Sequence, residues 1–254
     1  MRDSLFFQEI EQTTIIREPH TFCNPTFYYD ASLLTASLVT PLGRALQHLP
    51  SPRMHPLRVT PWHTVTQISC FEYRDSDIGP YNEVSIAFPI TIGRAAPVLW
   101  GLLSQMKQGP TGYVWHLPVT TQIALDGGVW FYNFPKFLAE ITFEQDAGWT
   151  HCRLAENGEH ILTLSGRHLP LKPSEQARMH AITVRGSRML RSEFIIRGEQ
   201  HGMSRRPKDV RLELGTHRIA TELRALKMGR PLLYETVPEA QAVLSGPLES
   251  MPMN

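Results

Sequence analysis

The chain has 254 residues, of which 42 % are hydrophobic and 19 % are charged, and its formal net charge is +1. These proportions are typical of a soluble globular protein, and the near-neutral balance excludes a general electrostatic attraction to nucleic acid or membranes. The length allows one large domain or two small ones. Because the sequence contains no evident linker or repeat, we predict a single domain over residues 1–254.

Metal, cofactor and membrane signals are lacking in the sequence. Its three cysteines have no Cys-x-x-Cys spacing, no histidine pair has a known ligand spacing, and there is no glycine-rich nucleotide loop. We therefore expect neither a metal nor a cofactor. No apolar run approaches the ~20 residues of a membrane span, and the N-terminus does not resemble a secretory signal. A cytoplasmic protein without a membrane partner is the expectation.

The first half of the chain is predicted to consist mainly of strands after an N-terminal arm over residues 1–30. Strands are predicted where β-branched and aromatic residues alternate with polar ones, at residues 33–39, 64–73, 81–90, 112–119 and 123–125. Short helices are predicted over residues 41–50 and 97–107. Asp126-Gly127-Gly128 has the composition of a turn.

The second half continues the same pattern. Further strands are predicted at residues 139–144, 149–154, 160–165, 180–186, 188–197 and 211–215. Asn157-Gly158 is typical of a hairpin turn, and the apolar spacing from Ile219 to Met228 predicts an amphipathic helix. Many short strands with few helices predict a mostly antiparallel, barrel-like sheet of the α+β class.

A basic tract from Arg178 to Arg211 holds nine arginines and lysines against three acidic residues. Such a tract can attract phosphate, carboxylate or a nucleic-acid backbone. Its residues are spread along predicted strands, however, and this spacing favours a solvated face or a subunit contact. We expect no nucleic-acid binding, and leave open a contact between one or two of these arginines and a small anionic substrate.

Lys136 lies in the most aromatic stretch of the chain, with four aromatic residues between Val129 and the lysine and Phe137 directly after it. Only five lysines occur in the sequence, against twenty arginines. Burial disfavours an ammonium and leaves a free amine, which is the form that attacks a ketone to give a Schiff base. The alternative is a lysine whose stem packs on aromatic rings while its amine reaches water. The local sequence alone favours neither interpretation.

Glu83 is the candidate partner of this lysine. It ends the segment Gly79-Pro80-Tyr81-Asn82-Glu83, at a boundary between loop and strand from which a carboxylate can point into the mouth of a cavity. A Schiff-base enzyme needs such a group to move protons while the imine forms. A surface position on the strand is the competing interpretation.

Several segments resemble, in the same order, those of the acetoacetate decarboxylase family. Phe134-Pro135-Lys136 resembles its lysine motif, and Gly79–Glu83 resembles its Gly-x-Tyr-x-Glu segment. Leu46–Pro52 is similar to a helix that ends in Leu-Pro-x-Pro, and Arg211–His217 to the closing segment of the family. The resemblance extends over roughly residues 31 to 245.

The resemblance implies a cone-like β-barrel with a few short helices, commonly a homo-oligomer, that acts on a small keto acid. It implies that Lys136 is the Schiff-base lysine and that Glu83 is a catalytic carboxylate in the same pocket, with Tyr81 as a candidate orienting hydroxyl. Four residues are expected to contact the substrate: Tyr81, Phe134, Trp130 and Gln67.

The sequence also departs from the pattern of the family. Phe137 occupies the place of a second lysine, and Gly128-Val129-Trp130 that of a Gly-Arg-Glu segment. A further glutamate of the family falls near Gln67 or Ile68, and its arginine near Ala31. Three functions remain open: decarboxylation of a β-keto acid, which we favour; aldolase or dehydratase chemistry on a pyruvate-like or larger keto acid; and a non-catalytic barrel that binds an apolar ligand or a partner subunit.

Overall fold

The computed structural model describes residues 5–95 and 109–253, so the helix predicted over residues 97–107 lies outside the described residues. The helices within these ranges are α1 Leu5–Gln8, α2 Leu42–Leu46, α3 Gln122–Tyr132 and α4 Arg218–Ala225, with a 3-10 turn at Pro207–Asp209. The strands are β1 Thr13–Arg17, β2 His20–Asn24, β3 Thr26–Pro41, β4 Met54–Pro56, β5 His63–Ser76, β6 Tyr81–Ile92, β7 Thr111–His116, β8 Glu140–Asp146, β9 Trp149–Glu156, β10 Glu159–Arg167, β11 Lys172–Pro173, β12 Ala177–Arg185, β13 Arg188–Gly198, β14 Gln200–Ser204, β15 Val210–Leu214 and β16 Pro231–Pro252.

Seven strands close into a barrel in the order β3-β5-β6-β7-β12-β13-β16, and β16 returns to pair with β3. Neighbouring strands run antiparallel, apart from β7 and β12, which pair in parallel. The prediction of a mostly antiparallel barrel with a few short helices is therefore confirmed. Among the described residues, no helix is long and apolar enough to cross a membrane.

Alternation along the barrel strands separates two apolar cores. Side chains on one face of each strand, such as Leu34, Cys70 and Val84, join an outer core with residues of α4 and of the four-stranded sheet β15-β10-β9-β8. Side chains on the other face, such as Phe71 on β5, belong to a second core inside the barrel. Because successive strand residues point to opposite faces, one strand supplies both cores.

The predicted hairpin at Asn157-Gly158 is confirmed. Strands β9 and β10 pair antiparallel, with Glu156 opposite Glu159 across the turn. Asn157 and Gly158 both have positive φ angles, of 52° and 78°. Positive φ at both central positions is the requirement of a two-residue hairpin turn, and these two residue types adopt it at low cost.

The predicted strand at residues 123–125 and the turn at Asp126-Gly127-Gly128 are wrong, because helix α3 runs through both. The two glycines do not form a turn. They allow the side chains of Phe22 and Lys136 to pack directly against the helix backbone. A Cβ on Gly127 would lie 2.6 Å from Cε1 of Phe22, and one on Gly128 would lie 2.5 Å from Cδ and Cε of Lys136. Both distances are too short for non-bonded carbon atoms, so a side chain at either position would displace Phe22 or Lys136.

The N-terminal arm ends earlier than predicted, since β3 of the barrel begins at Thr26. The hairpin of β1 and β2 packs against α3. Arg17 lies over the ring of Trp130 at 4.1 Å, and His20 Nε2 lies 3.1 Å from Asp126 Oδ2. The ring of Phe22 meets that of Trp130 edge to face. This hairpin holds α3 from one side.

The fold leads to a pH prediction for His116, which ends β7 and lies 3.1 Å from Glu222 of α4. Burial lowers the pKa of His116 below its ordinary value, with Glu222 opposing the shift. The unfolded chain therefore binds the proton more readily, and stability is lost as the pH falls below about 6.5. We expect His116→Gln to reduce the loss of thermal stability between pH 7.5 and 5.5, relative to the native chain.

The matched control is His168→Gln, because His168 is exposed. Thermal unfolding followed by circular dichroism gives the comparison. An acid loss of stability that is the same in the native chain and in His116→Gln would contradict the assignment.

Candidate active site

The barrel encloses a cavity of about 500 Å³. Its wall is largely apolar and aromatic, with contributions from Phe71, Tyr73 and Phe194. Lys136 and Glu83 line the same cavity. The candidate nucleophile and the candidate acid-base group therefore line one cavity.

Lys136 Nζ donates a hydrogen bond of 2.8 Å to Glu83 Oε2. The two side chains are only 4 % and 10 % exposed. An ion pair this far from water is favourable only when its geometry is good, because both groups have lost their hydration. The lysine has not reached solvent, so the interpretation as a lysine whose amine extends to water does not hold in this structure.

A short backbone link brings the two residues together although they are distant in the sequence. Val119 forms an antiparallel bridge with Glu83 and a parallel bridge with Leu138. Its amide donates to the carbonyl of Phe137 at 2.9 Å, and the amide of Ala139 donates to its carbonyl at 2.9 Å. Residue 119 thus holds the segment that carries the lysine beside strand β6.

The end of α3 directs the lysine back across the helix. Asn133 caps the helix with a left-handed conformation, φ 51°. The amides of Asn133 and Phe134 donate to the carbonyls of Val129 and Gly128, each at 3.1 Å. Such a cap reverses the chain direction. The stem of Lys136 then lies against Gly128, where a side chain would displace it.

Aromatic rings surround the amine. Nζ of Lys136 lies 5.6 Å from the ring centroid of Tyr81 and 5.8 Å from that of Phe134. These distances are within the range in which a ring face attracts a cation. The aromatic residues near the lysine therefore stabilise the ammonium as well as exclude water.

A group of tyrosines forms the adjoining wall. The hydroxyls of Tyr28 and Tyr81 share a hydrogen bond of 3.1 Å, and the ring of Tyr73 packs on both. Burial raises the pKa of all three phenols well above their ordinary value, and the nearby charge of Glu83 adds to the shift. They remain protonated at neutral pH, so each keeps a hydroxyl proton that it can donate.

The arrangement is suited to proton transfer at an amine. A proton on Lys136 has an immediate acceptor in Glu83 Oε2. Once the proton has moved, the amine lone pair is free to attack a carbonyl carbon in the cavity. The carboxyl can then return the proton to an oxygen or carbon bound nearby.

The structure places most of the predicted site residues at this cavity. Phe134 and Gln67 line it, and Tyr81 meets the lysine with its ring, while its hydroxyl is engaged with Tyr28. Trp130 is the exception and a correction. It faces the N-terminal hairpin and not the cavity, because α3 directs it toward Arg17.

Sequence reasoning missed several residues of the cavity wall. They are polar or aromatic residues of the barrel strands: Tyr28, Thr35, Ser69, Tyr73, Ser85 and Glu235. The period of two on β5 and β6 would have found Ser69, Tyr73 and Ser85, since they lie an even number of residues from Phe71 and Glu83.

Among the described residues, no group of three or more His, Cys, Asp or Glu side chains is placed to hold a metal.

Comparison with known proteins points to one family. A sequence model of the acetoacetate decarboxylase family matches residues 16–234. No curated protein sequence matches the chain.

Solved structures with similar folds have low sequence identity to this chain. Acetoacetate decarboxylase from Legionella pneumophila subsp. pneumophila str. Philadelphia 1 is 14 % identical, with a TM-score of 0.66 over 91 % of this chain and 87 % of that one. The enduracididine biosynthesis enzyme MppR, complexed with the condensation product of pyruvate and imidazole 4-carboxaldehyde, is 12 % identical, with a TM-score of 0.63 over 91 % and 90 %. An acetoacetate decarboxylase-like enzyme from Sphingomonas wittichii RW1 is 14 % identical, with a TM-score of 0.56 over 91 % and 94 %.

The close approach of Lys136 to Gly128 gives a testable prediction. Gly128→Ala should destabilise the fold by about 1–3 kcal/mol, because the added Cβ overpacks the lysine stem. In a Lys136→Ala background the same change should be neutral or stabilising, since alanine is the better helix former. Denaturant unfolding of the four proteins measures the coupling.

Gly43→Ala is the control, because Gly43 lies in helix α2 and a Cβ there meets nothing within 4 Å. Its effect should be the same in both backgrounds. If Gly128→Ala costs as much without the lysine as with it, the proposed packing of the stem on the glycine is incorrect.

Proposed function

The chain belongs to the acetoacetate decarboxylase family, and on this basis we propose that it is an enzyme that forms a Schiff base between Lys136 and a keto acid. The observation that carries the proposal is the buried hydrogen bond of 2.8 Å between Lys136 Nζ and Glu83 Oε2 in the barrel cavity. A nucleophile and an acid-base group within hydrogen-bond distance are the two parts that imine chemistry requires.

The proposed reaction begins with proton transfer from Lys136 to Glu83. The free amine adds to the ketone carbon and forms a carbinolamine. Glu83 then protonates the hydroxyl, which leaves as water, and the product is a protonated imine. The mainly apolar wall supports this step, because it limits the access of water that would reverse it.

The protonated imine supports loss of carbon dioxide from a β-keto acid, which is the reaction we favour. The electrons of the bond to the carboxylate move to the imine nitrogen, and an enamine remains. Protonation of the enamine carbon and hydrolysis of the imine release the ketone and regenerate Lys136. A carboxylate is poorly stabilised among apolar side chains, so its conversion to neutral carbon dioxide is favoured there.

Aldolase or dehydratase chemistry is the second candidate, and the size of the cavity favours it. A volume of about 500 Å³ lies in the range of pockets that enclose drug-sized ligands, which is more than a four-carbon acid needs. In this case the imine loses a proton from the neighbouring carbon to the Glu83 carboxylate, and the resulting enamine attacks a second carbonyl or expels a hydroxyl group, which leaves as water after protonation. We also propose, following the family resemblance, that the enzyme is cytoplasmic and homo-oligomeric; both remain predictions from the sequence.

Borohydride trapping tests the imine. Incubation with acetoacetate, pyruvate or a longer β-keto acid, followed by reduction, should add the mass of the reduced ketone adduct to the peptide that contains Lys136. Lys136→Met should abolish the adduct, and Lys172→Met should leave it unchanged, because Lys172 is an exposed residue outside the site. Absence of any adduct from folded protein would favour the non-catalytic barrel.

Glu83 is expected to set the rate of imine formation. Glu83→Gln removes the proton acceptor while it preserves the size of the side chain, so trapping should slow by about 10²–10⁴-fold. Glu213→Gln is the control, since Glu213 is exposed on β15. A Glu83→Gln variant that is trapped at the native rate would remove Glu83 from the mechanism.

A further inference from the structure

A belt of polar side chains crosses four strands of the cavity wall. Glu235 on β16 pairs with Thr35 on β3, Thr35 pairs with Ser69 on β5, and Ser69 pairs with Ser85 on β6. All four residues line the cavity. They form one continuous row at a single level of the barrel, because directly paired residues on neighbouring strands point to the same face.

The belt lies one level away from the level of Glu83. The next row along the strands runs from Val237 through Leu33 and Phe71 to Glu83, each directly paired with the next. Apart from the carboxylate, that row is apolar. Two residues along a strand span about 7 Å. The belt therefore contacts the part of a ligand that lies about 7 Å from the atom beside Glu83.

The polar groups of the belt are incompletely satisfied by the protein. Thr35 Oγ1 donates to Ser69 Oγ at 2.9 Å. In the part of the chain that the structure describes, neither the Ser85 hydroxyl nor the Glu235 carboxyl has a side-chain hydrogen bond of this kind. Burial raises the pKa of Glu235, although the charge of nearby His201 opposes the shift. Glu235 and Ser85 are half-buried in the cavity wall, where a bound molecule can supply the hydrogen-bond donors that the protein does not.

Charge on the cavity wall favours a donor over an acceptor. Lys136 and Glu83 balance one another as an ion pair. Among the described residues, Glu235 has no lysine or arginine bonded to it, and no arginine lines the cavity. The other titratable side chains on this wall, apart from the tyrosines, are His201, His180 and Glu175. A hydroxyl or ammonium group satisfies the carboxyl and the serine oxygens, whereas a second carboxylate would be repelled.

We propose that Glu235, with Thr35, Ser69 and Ser85, forms a recognition subsite for a hydroxyl or ammonium group at the far end of the substrate. The inference rests on the proposed function, since it takes the ketone carbon to lie at Lys136. About five single bonds span the distance from that carbon to the belt. The substrate class is therefore a keto acid with an extended chain and a terminal hydrogen-bond donor, and Glu235 is the residue that selects it.

Binding of non-reacting ligands tests the subsite without imine chemistry. The probes are α-hydroxyhexanoate, α,ω-dihydroxyhexanoate and ω-amino-α-hydroxyhexanoate, in which a hydroxyl replaces the ketone. Calorimetry should show that at least one donor-bearing probe binds about tenfold more tightly than α-hydroxyhexanoate, the ratio expected for one hydrogen bond to a charged group. Equal affinity for all three probes would overturn the inference.

Three variants locate the effect. Glu235→Leu should abolish the preference, and it should fold, because it replaces a half-buried carboxyl with an apolar side chain of similar size; circular dichroism checks this. Glu239→Gln is the control, since Glu239 is exposed on the same strand. Glu235→Gln separates the two donors, because an amide still accepts from a hydroxyl but no longer offers a charge to an ammonium. A preference that persists in Glu235→Leu would also overturn the inference.

Trapping with α-ketohexanoate and its ω-hydroxy derivative separates this inference from the proposed function. Adducts from both ketones at equal rates, together with equal binding of the probes, would leave the imine function standing and refute the subsite. A donor preference in binding without any adduct on Lys136, from these ketones or from acetoacetate, pyruvate and a longer β-keto acid, would support the subsite as a binding site and refute the imine function.

Discussion

The ion pair between Lys136 and Glu83 is the interaction on which the site depends. Both side chains are almost fully withdrawn from water, and they lie 2.8 Å apart. A buried ion pair is weak evidence for stability, since apolar residues of the same shape often serve as well. The surrounding structure nevertheless supports this pair through the bridges of Val119, the cap at Asn133 and the bare surface of Gly128. These contacts fix the positions of two charged groups whose pairing is not needed for stability, and this agrees with the proposed role of the pair in a reaction.

The inner wall of the barrel changes in character from one level to the next. At one level, Tyr73 pairs with Tyr81, and their rings and the hydroxyl bond to Tyr28 form a rigid aromatic wall. The next level presents Glu83 among apolar side chains, and the level after it presents hydroxyls and Glu235. The residues at one level can be substituted without altering those at the next, because cavity-facing residues lie at every second position along a strand. On the proposed function, the barrel can therefore retain Lys136 and Glu83 while a separate level determines which molecules fit.

Much of the fold could be predicted from the sequence, because strands with one buried face repeat every two residues. This period located the barrel strands, and the Asn157-Gly158 pair identified its hairpin. Helix α3 was missed because Asp126-Gly127-Gly128 has the composition of a turn, and only the packing of Phe22 and Lys136 shows why the glycines are there. The nearness of Glu83 to Lys136 came from a family resemblance, since Val119, which joins them, carries no local signal. Glu235 was missed because a glutamate on a strand usually faces water.

The closure of the barrel also has a consequence for the order of events during folding. Strand β3, near the start of the chain, pairs with β16, near its end. The Glu83 strand is joined to the Lys136 segment through Val119, which bridges Glu83, 36 residues away, and Leu138, 19 residues away. Structures dominated by such pairings have a high contact order and fold slowly, because long loops must close before their contacts form. The enclosing wall is complete only when β16 has been synthesised and has docked. A nascent or truncated chain therefore exposes an ordinary lysine, and the reactive site arises as a property of the finished barrel.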